Sequence, residues 1–109
     1  MRTKHIVLSG STKFKREFLA VATRLRASGA EVVLPSIFEH TDRVFLSKEQ
    51  RARVDQEYLR AIEKADCVFV IDVSGYMGES TRAEVVHAQQ HRKPCFYYSL
   101  DFKGAEYRK

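Results

Sequence analysis

Two short stretches of the chain carry the residues best suited to chemistry. The first is Ser9-Gly10-Ser11-Thr12-Lys13. A glycine lets a ligand approach the backbone, and the helix that follows offers free N–H groups to an anion. Lys13 adds a positive charge. The stretch matches neither the Gly-x-x-x-x-Gly-Lys-Ser/Thr phosphate loop nor the Gly-x-Gly-x-x-Gly dinucleotide fingerprint. It serves equally well as a plain strand-to-helix turn. The second stretch begins where an apolar run ends in Asp72. It continues through a loop containing Gly75, Tyr76, Met77 and Gly78, and reaches Ser80, Thr81, Arg82 and Glu84. The helix opening near Glu79 is expected to carry Glu84 in its first turn, at its inner edge. Helical spacing sets Glu84 on the side of Ala88 and near Thr81, so this carboxylate lies among small residues. Two carboxylates meeting at a ligand cleft are the minimum equipment for glycosyl transfer, one as nucleophile and one to manage the proton. Asp72 also suits a turn cap, and Glu79 suits the helix dipole.

The elements that must position these residues follow from patterning. Ile6 to Ser9 is a short buried strand. Phe14, Phe18, Leu19, Ala22 and Leu25 recur at helical spacing up to Ser28-Gly29. Ala30 to Leu34 is a second strand closed by Pro35. Residues from Ser36 to Leu46 show no period and are expected to form a loop. Ser47-Lys48-Glu49-Gln50 has the form of a capping box and opens a helix to about Lys64, with Val54, Tyr58, Leu59 and Ile62 on one face. Cys67 to Ile71 is almost wholly apolar, as a strand buried on both faces would be. A helix from Glu79 or Ser80 to about Gln90 carries Ala83, Val86 and Ala88. Pro94 to Tyr98 is the last strand, followed by a tail or a short final element.

Strand–helix alternation of this kind predicts an α/β domain, Rossmann-like or flavodoxin-like. Its parallel sheet should run in the order 2-1-3-4 with helices on both faces. The chain then reverses direction across the sheet between strands 1 and 3. Open α/β sheets bind ligands outside the carboxyl ends of the strands at such a switch point. That rule selects the same two stretches.

Composition narrows the class. With 109 residues, 44% hydrophobic and 30% charged, the chain is expected to be one domain, with a core over about residues 5–98 and a tail over 99–109. No apolar run is long enough to span a membrane, and no signal peptide is evident, so a cytoplasmic location is expected. Nineteen basic and fourteen acidic residues give a net charge of +5, which favours anionic partners. The basic residues are scattered without interleaved aromatics, which argues against nucleic acid as the partner. Cys67 and Cys95 lie in apolar runs outside any Cys-x-x-Cys pair and read as small buried hydrophobes. His87 suits acid–base work or a surface position equally. His5, His40 and His91 show no metal spacing, so neither a metal site nor a cofactor is expected. Tyr76 and Met77 suit a lid over a base, or packing alone. Arg82 near a helix start, where acidic residues are the norm, favours a phosphate.

Three segments together carry a family resemblance. They are Val68-Phe69-Val70-Ile71-Asp72, Gly78-Glu79-Ser80-Thr81-Arg82-Ala83-Glu84-Val85-Val86-His87-Ala88, and Lys93-Pro94. The pattern resembles the nucleoside 2-deoxyribosyltransferase-like superfamily, which includes nucleoside transferases and 2'-deoxynucleoside 5'-phosphate N-hydrolases. Glu63-Lys64-Ala65-Asp66 before the third strand and Gly10-Ser11 after the first also fit, so the resemblance covers about residues 5–98. It implies that Glu84 is a nucleophile attacking the anomeric carbon and that Asp72 protonates or orients the base. It implies that Ser11, Ser80 and Thr81 help to hold the sugar or its phosphate. The chain departs from the pattern at Gly78, where the transferases carry Asp and the phosphate hydrolases Ser. It also lacks a Tyr on the first strand. The expected activity is hydrolysis or transfer at an N-glycosidic bond of nucleosides or nucleoside 5'-monophosphates. The alternative is a nucleotide-binding or sensor module of the same fold without catalysis. A homodimer is expected from the apolar surplus of the middle helix and Phe96-Tyr97-Tyr98.

Overall fold

The computed structural model describes residues 3–35 and 47–102. The loop expected from Ser36 to Leu46, which includes His40, lies outside the described residues, as do residues 103–109. The sheet comprises β1 (His5–Gly10), β2 (Glu31–Val33), β3 (Cys67–Ile71) and β4 (Cys95–Tyr97). It is wholly parallel and runs β2-β1-β3-β4, the predicted order. The helices are α1 (Lys15–Ala27), α2 (Lys48–Lys64) and α3 (Glu79–Gln90).

The pleat sorts the strand residues between two cores. Ile6 and Leu8 of β1, with Cys67, Phe69 and Ile71 of β3, pack on Phe18, Val21 and Ala22 of α1. Val7, Val68 and Val70 point the other way and pack on Ile62 of α2 and on Val85 and Ala88 of α3. Both faces of β3 are therefore covered, and all five of its residues are buried. Ser9 is two residues beyond Val7 and so belongs to the α2–α3 face. Residue type and pleat alone thus aim a buried hydroxyl at α3.

Local chemistry fixes the helix ends. In the capping box, the Ser47 hydroxyl accepts from the Gln50 N–H at 3.1 Å and the Gln50 side chain accepts from the Ser47 N–H at 2.9 Å. At the end of α1, Gly29 adopts φ +99° and its N–H reaches the Arg26 carbonyl at 3.0 Å. The Ala30 N–H returns to the Leu25 carbonyl at 3.1 Å, completing a Schellman motif that needs a left-handed residue at that point.

Three expectations are corrected. Leu19 is exposed, because Val21 rather than Leu19 completes the buried stripe of α1. Ala83 and Val86 are also exposed, since the buried stripe of α3 is Thr81, Val85 and Ala88. Glu84 lies in the second turn of α3 rather than the first, because the helix already begins at Glu79. The short final element after β4 is a single π turn over Tyr98–Phe102. Its Asp101 carboxylate accepts from the Tyr97 N–H at 2.8 Å, and Tyr98 stacks on Phe102 at 5.2 Å. Residues 99–102 therefore pack as part of the fold. Cys67 and Cys95 are free thiols, and burial raises both above the ordinary range, so neither is primed as a nucleophile.

Gly10 has a packing reason to be glycine. A Cβ there would sit 2.8 Å from the Ile71 carbonyl oxygen and 2.9 Å from the Ile71 Cβ. Both atoms belong to the central strand and cannot step aside cheaply. Gly10→Ala is expected to destabilise the fold by about 1–3 kcal/mol, read from urea denaturation. Ser47→Ala is expected to cost about 1 kcal/mol in the same measurement.

Candidate active site

The parallel register places Ser9 beside Val70 and Gly10 beside Ile71. The carboxyl ends of β1 and β3 therefore lie side by side, with Ser9 fully buried and Asp72 nearly so. α3 crosses this end of the sheet on the Ser9 side. Glu84 is three residues after Thr81 and four before Ala88, so it lies along the buried stripe. The Ser9 hydroxyl donates a short hydrogen bond to Glu84 Oε1. Among the described residues, Ser9 alone hydrogen-bonds to the Glu84 carboxylate.

Burial dominates the electrostatics of Glu84. Loss of water pushes its pKa from 4.5 to about 7, against the opposing pull of the Ser9 hydrogen bond. The Asp55 carboxylate on α2 adds a smaller upward push. Tyr58, one turn along α2, donates a short hydrogen bond to the Leu8 carbonyl, with the Val33 carbonyl 3.4 Å away as a second acceptor. Burial holds the Tyr58 phenol well above its ordinary value, and the Glu84 charge adds to the effect. Ser9, Tyr58, Asp55 and Glu84 thus form one electrostatic unit from three elements. Sequence reasoning missed two of its members. Tyr58 counted only as part of an apolar helix face, although a phenol on such a face needs a buried acceptor. Asp55 carried no signal at all.

The other expected carboxylate is engaged elsewhere. Asp72 accepts from the Ser99 N–H at 2.9 Å and from the Ser99 hydroxyl at 2.8 Å. No hydrogen bond joins Asp72 to Glu84. Asp72 instead ties the turn after β4 to the end of β3. Nothing in the sequence singled out Ser99, which lies in the stretch expected to be a tail.

The two loops meet over this edge. Ser11 caps a short 3-10 turn, its hydroxyl accepting from the Lys13 N–H at 3.4 Å. Lys13 Nζ lies 3.7 Å from the centre of the Tyr76 ring, a cation–π contact, and Phe14 meets the same ring edge-on at 5.8 Å. Tyr76 is nevertheless half exposed. Ser74 and Gly75 both take positive φ, at 54° and 80°, which turns the chain sharply before Tyr76. Met77 packs under the loop against the α2–α3 core. The Arg82 Nε donates to the Met77 carbonyl at 3.3 Å and so braces the loop against the helix. Gly78 is the N-cap of α3 and provides no side-chain acceptor, so the first amides of the helix are left to other partners. Thr81 is buried and Ser80 exposed in that turn. A depression of about 530 Å³, lined by Thr3, Lys4, Ile6 and Leu25 among others, lies at the opposite end of the sheet and carries no carboxylate.

Solved structures share this fold. One is a 2-deoxyribosyltransferase from the psychrotolerant bacterium Bacillus psychrosaccharolyticus, described as a biocatalyst for the synthesis of nucleosides. The match has a TM-score of 0.62 at 25% sequence identity and covers 85% of this chain and 70% of that one. The chain has the nucleoside 2-deoxyribosyltransferase-like fold. Neither family models nor curated proteins give a match to the sequence. Within this deoxyribosyltransferase-like fold, the fully buried Ser9 and the partly buried Glu84 are the hydrogen-bonded pair at the switch point. Among the described residues no helix is long and apolar enough to cross a membrane.

The raised Glu84 has a thermodynamic consequence. A carboxyl group with an elevated folded pKa keeps its proton in the folded state while the unfolded chain has lost it. Its stabilising effect is complete below about pH 4.5 and disappears as pH rises past about 7, a fall of about 3 kcal/mol. Glu84→Gln cannot ionise and escapes that fall. The variant should be more stable than the wild type at pH 8, with the difference shrinking toward pH 4.5, as read from urea midpoints. Ser9→Ala removes the hydrogen bond that favours the anion and should raise the Glu84 carboxyl titration further, followed by carbon-13 NMR.

Proposed function

We propose that the protein cleaves or transfers the N-glycosidic bond of nucleosides or nucleoside 5'-monophosphates, with Glu84 as nucleophile. The observation that carries this reading is the partly buried Glu84 carboxylate, held by Ser9 at the switch point of a deoxyribosyltransferase-like fold. In the attack, a Glu84 oxygen bonds to the anomeric carbon as the bond to the base nitrogen breaks. The bonding pair leaves with the base, which takes up a proton. Water then releases the sugar and restores Glu84, or a second base takes its place. Ser9 is suited to orient the attacking carboxylate. Asp72, gripped by Ser99, is suited to fix the wall beside the base.

The remaining residues of the two loops fit substrate binding. The uncapped N-terminus of α3 at Gly78, with Ser80 and Arg82 close by, suits the phosphate of a monophosphate. Lys13 and Tyr76 already form one unit, so a base would meet a positively charged aromatic surface. A homodimer fits the exposure of Phe96 on the edge strand β4 and of Leu100 in the turn after it. Light scattering should give twice the 12.6 kDa chain mass.

One observation favours a second reading, a nucleotide-binding module without turnover. The Asp72 carboxylate, the second acid of the expected pair, is engaged by Ser99 rather than presented beside Glu84.

Incubation with a panel of nucleosides and 5'-monophosphates, followed by chromatography for free base, separates the two. The enzyme reading expects release by the wild type and a loss of at least about 100-fold in Glu84→Gln with binding largely kept, as for a group acting in the transition state. Because attack needs the ionised form, kcat/KM should rise with pH through about 7. Binding without release from any member would establish the module.

A further inference from the structure

The far end of α3 carries a second cluster that the glycosidic chemistry does not use. His87, in the last full turn, and His91, at the helix C-cap, are four residues apart and share a face. Their rings lie 4.4 Å apart. Glu63, from the last turn of α2, reaches across to both. Its Oε2 is 2.7 Å from His87 Nε2 and 3.8 Å from His91 Nε2. One ligand atom from each of the three residues falls within 4.8 Å of the others. No metal spacing was read at His91, because the pair needs a third donor from another helix to become a site.

We propose that Glu63, His87 and His91 bind a divalent transition-metal ion, Zn²⁺ by the character of the donors. Two imidazole nitrogens and one carboxylate oxygen are a standard donor set for zinc. Magnesium and calcium want oxygen alone. In a tetrahedral zinc site with bonds of about 2.0–2.1 Å, neighbouring donors lie about 3.3 Å apart. The two separations to Glu63 straddle that value, and all three donor atoms lie within 4.8 Å of one another, so side-chain adjustment without backbone movement would seat the ion. The outer contacts favour it too. His91 Nδ1 is 3.0 Å from the His87 carbonyl. A carbonyl only accepts, so Nδ1 carries the hydrogen and Nε2 keeps its lone pair toward the cluster. His87 is largely buried while Glu63 and His91 are open to solvent, which gives an ion a route in and leaves a position for water. Arg60 also favours the Glu63 carboxylate, less strongly than either imidazole.

The ion would join the ends of α2 and α3. Those helices carry Tyr58, Asp55 and Glu84, so the clamp would brace the frame of the first site without touching it. The assignment does not depend on glycosidic activity.

The test is titration of tag-free, chelator-treated protein with ZnSO₄ by calorimetry and with CoCl₂ by visible absorption. The expected result is one equivalent bound, a tetrahedral cobalt spectrum and a higher Tm with zinc. His91→Gln and Glu63→Gln should each weaken binding by more than about tenfold, the loss seen even for outer-shell partners. Long-range nitrogen-15 spectra of the wild type should show two of the four histidines shifting with zinc, which needs no variant to fold. Failure of the folded wild type to bind one equivalent overturns the proposal. So does binding that both variants retain, which would place the ion elsewhere.

Discussion

A carboxylate can be taken from water inside a small α/β domain only if the strands beneath it supply a partner on the right face. Here that partner is Ser9. It is two residues along β1 from Val7, so the pleat turns it toward α3, and the β1–β3 register brings it to the edge of the sheet. α3 can lie close because Thr81, Val85 and Ala88 form its buried stripe, with a small side chain at each end. The Ser9–Glu84 contact therefore depends on the whole stack of β1, β3 and α3. Gly10 keeps β1 close to β3 in that stack, since a side chain there would push β1 off Ile71.

Burial and hydrogen bonding pull Glu84 in opposite directions, and burial wins. The outcome is a carboxyl group balanced between its two forms near neutral pH. It is coupled electrostatically to Tyr58 and Asp55 on α2. Such a group is poorly explained as part of a core, where an apolar side chain would cost less. Its position at the carboxyl ends of a parallel sheet, at the topological switch point, is where α/β domains place ligands. The 2-deoxyribosyltransferase match independently supports the fold itself.

Much of this was legible in the sequence because it is local. The apolar run at Cys67 to Ile71, the capping box at Ser47 and the helix start at Glu79 are each written in a few adjacent residues. Strand order followed from the alternation of elements. Glu84 itself was visible through its spacing from Thr81 and Ala88. What stayed hidden depends on pairs of residues far apart in the chain. The grip of Ser99 on Asp72 spans the β3-to-β4 crossover. The hydroxyl of Tyr58 finds its acceptor on β1, fifty residues away. Glu63 meets His87 across a helix–helix contact. Helical period likewise could not choose between Leu19 and Val21, since either fits a broad apolar stripe and only the sheet decides.

The proposed chemistry requires a covalent bond between Glu84 and a sugar carbon. The most direct measurement traps that bond. A nucleoside fluorinated at C2' slows breakdown of a glycosyl-enzyme by destabilising the positively charged transition state that follows. Its base should be one the protein releases from the natural substrate. Intact mass spectrometry, then peptide mapping, reads where the sugar resides. The expected result is one fluorosugar per chain, located on the peptide containing Glu84. An adduct on another residue, or steady base release with no adduct at all, would contradict the assignment of Glu84 as nucleophile.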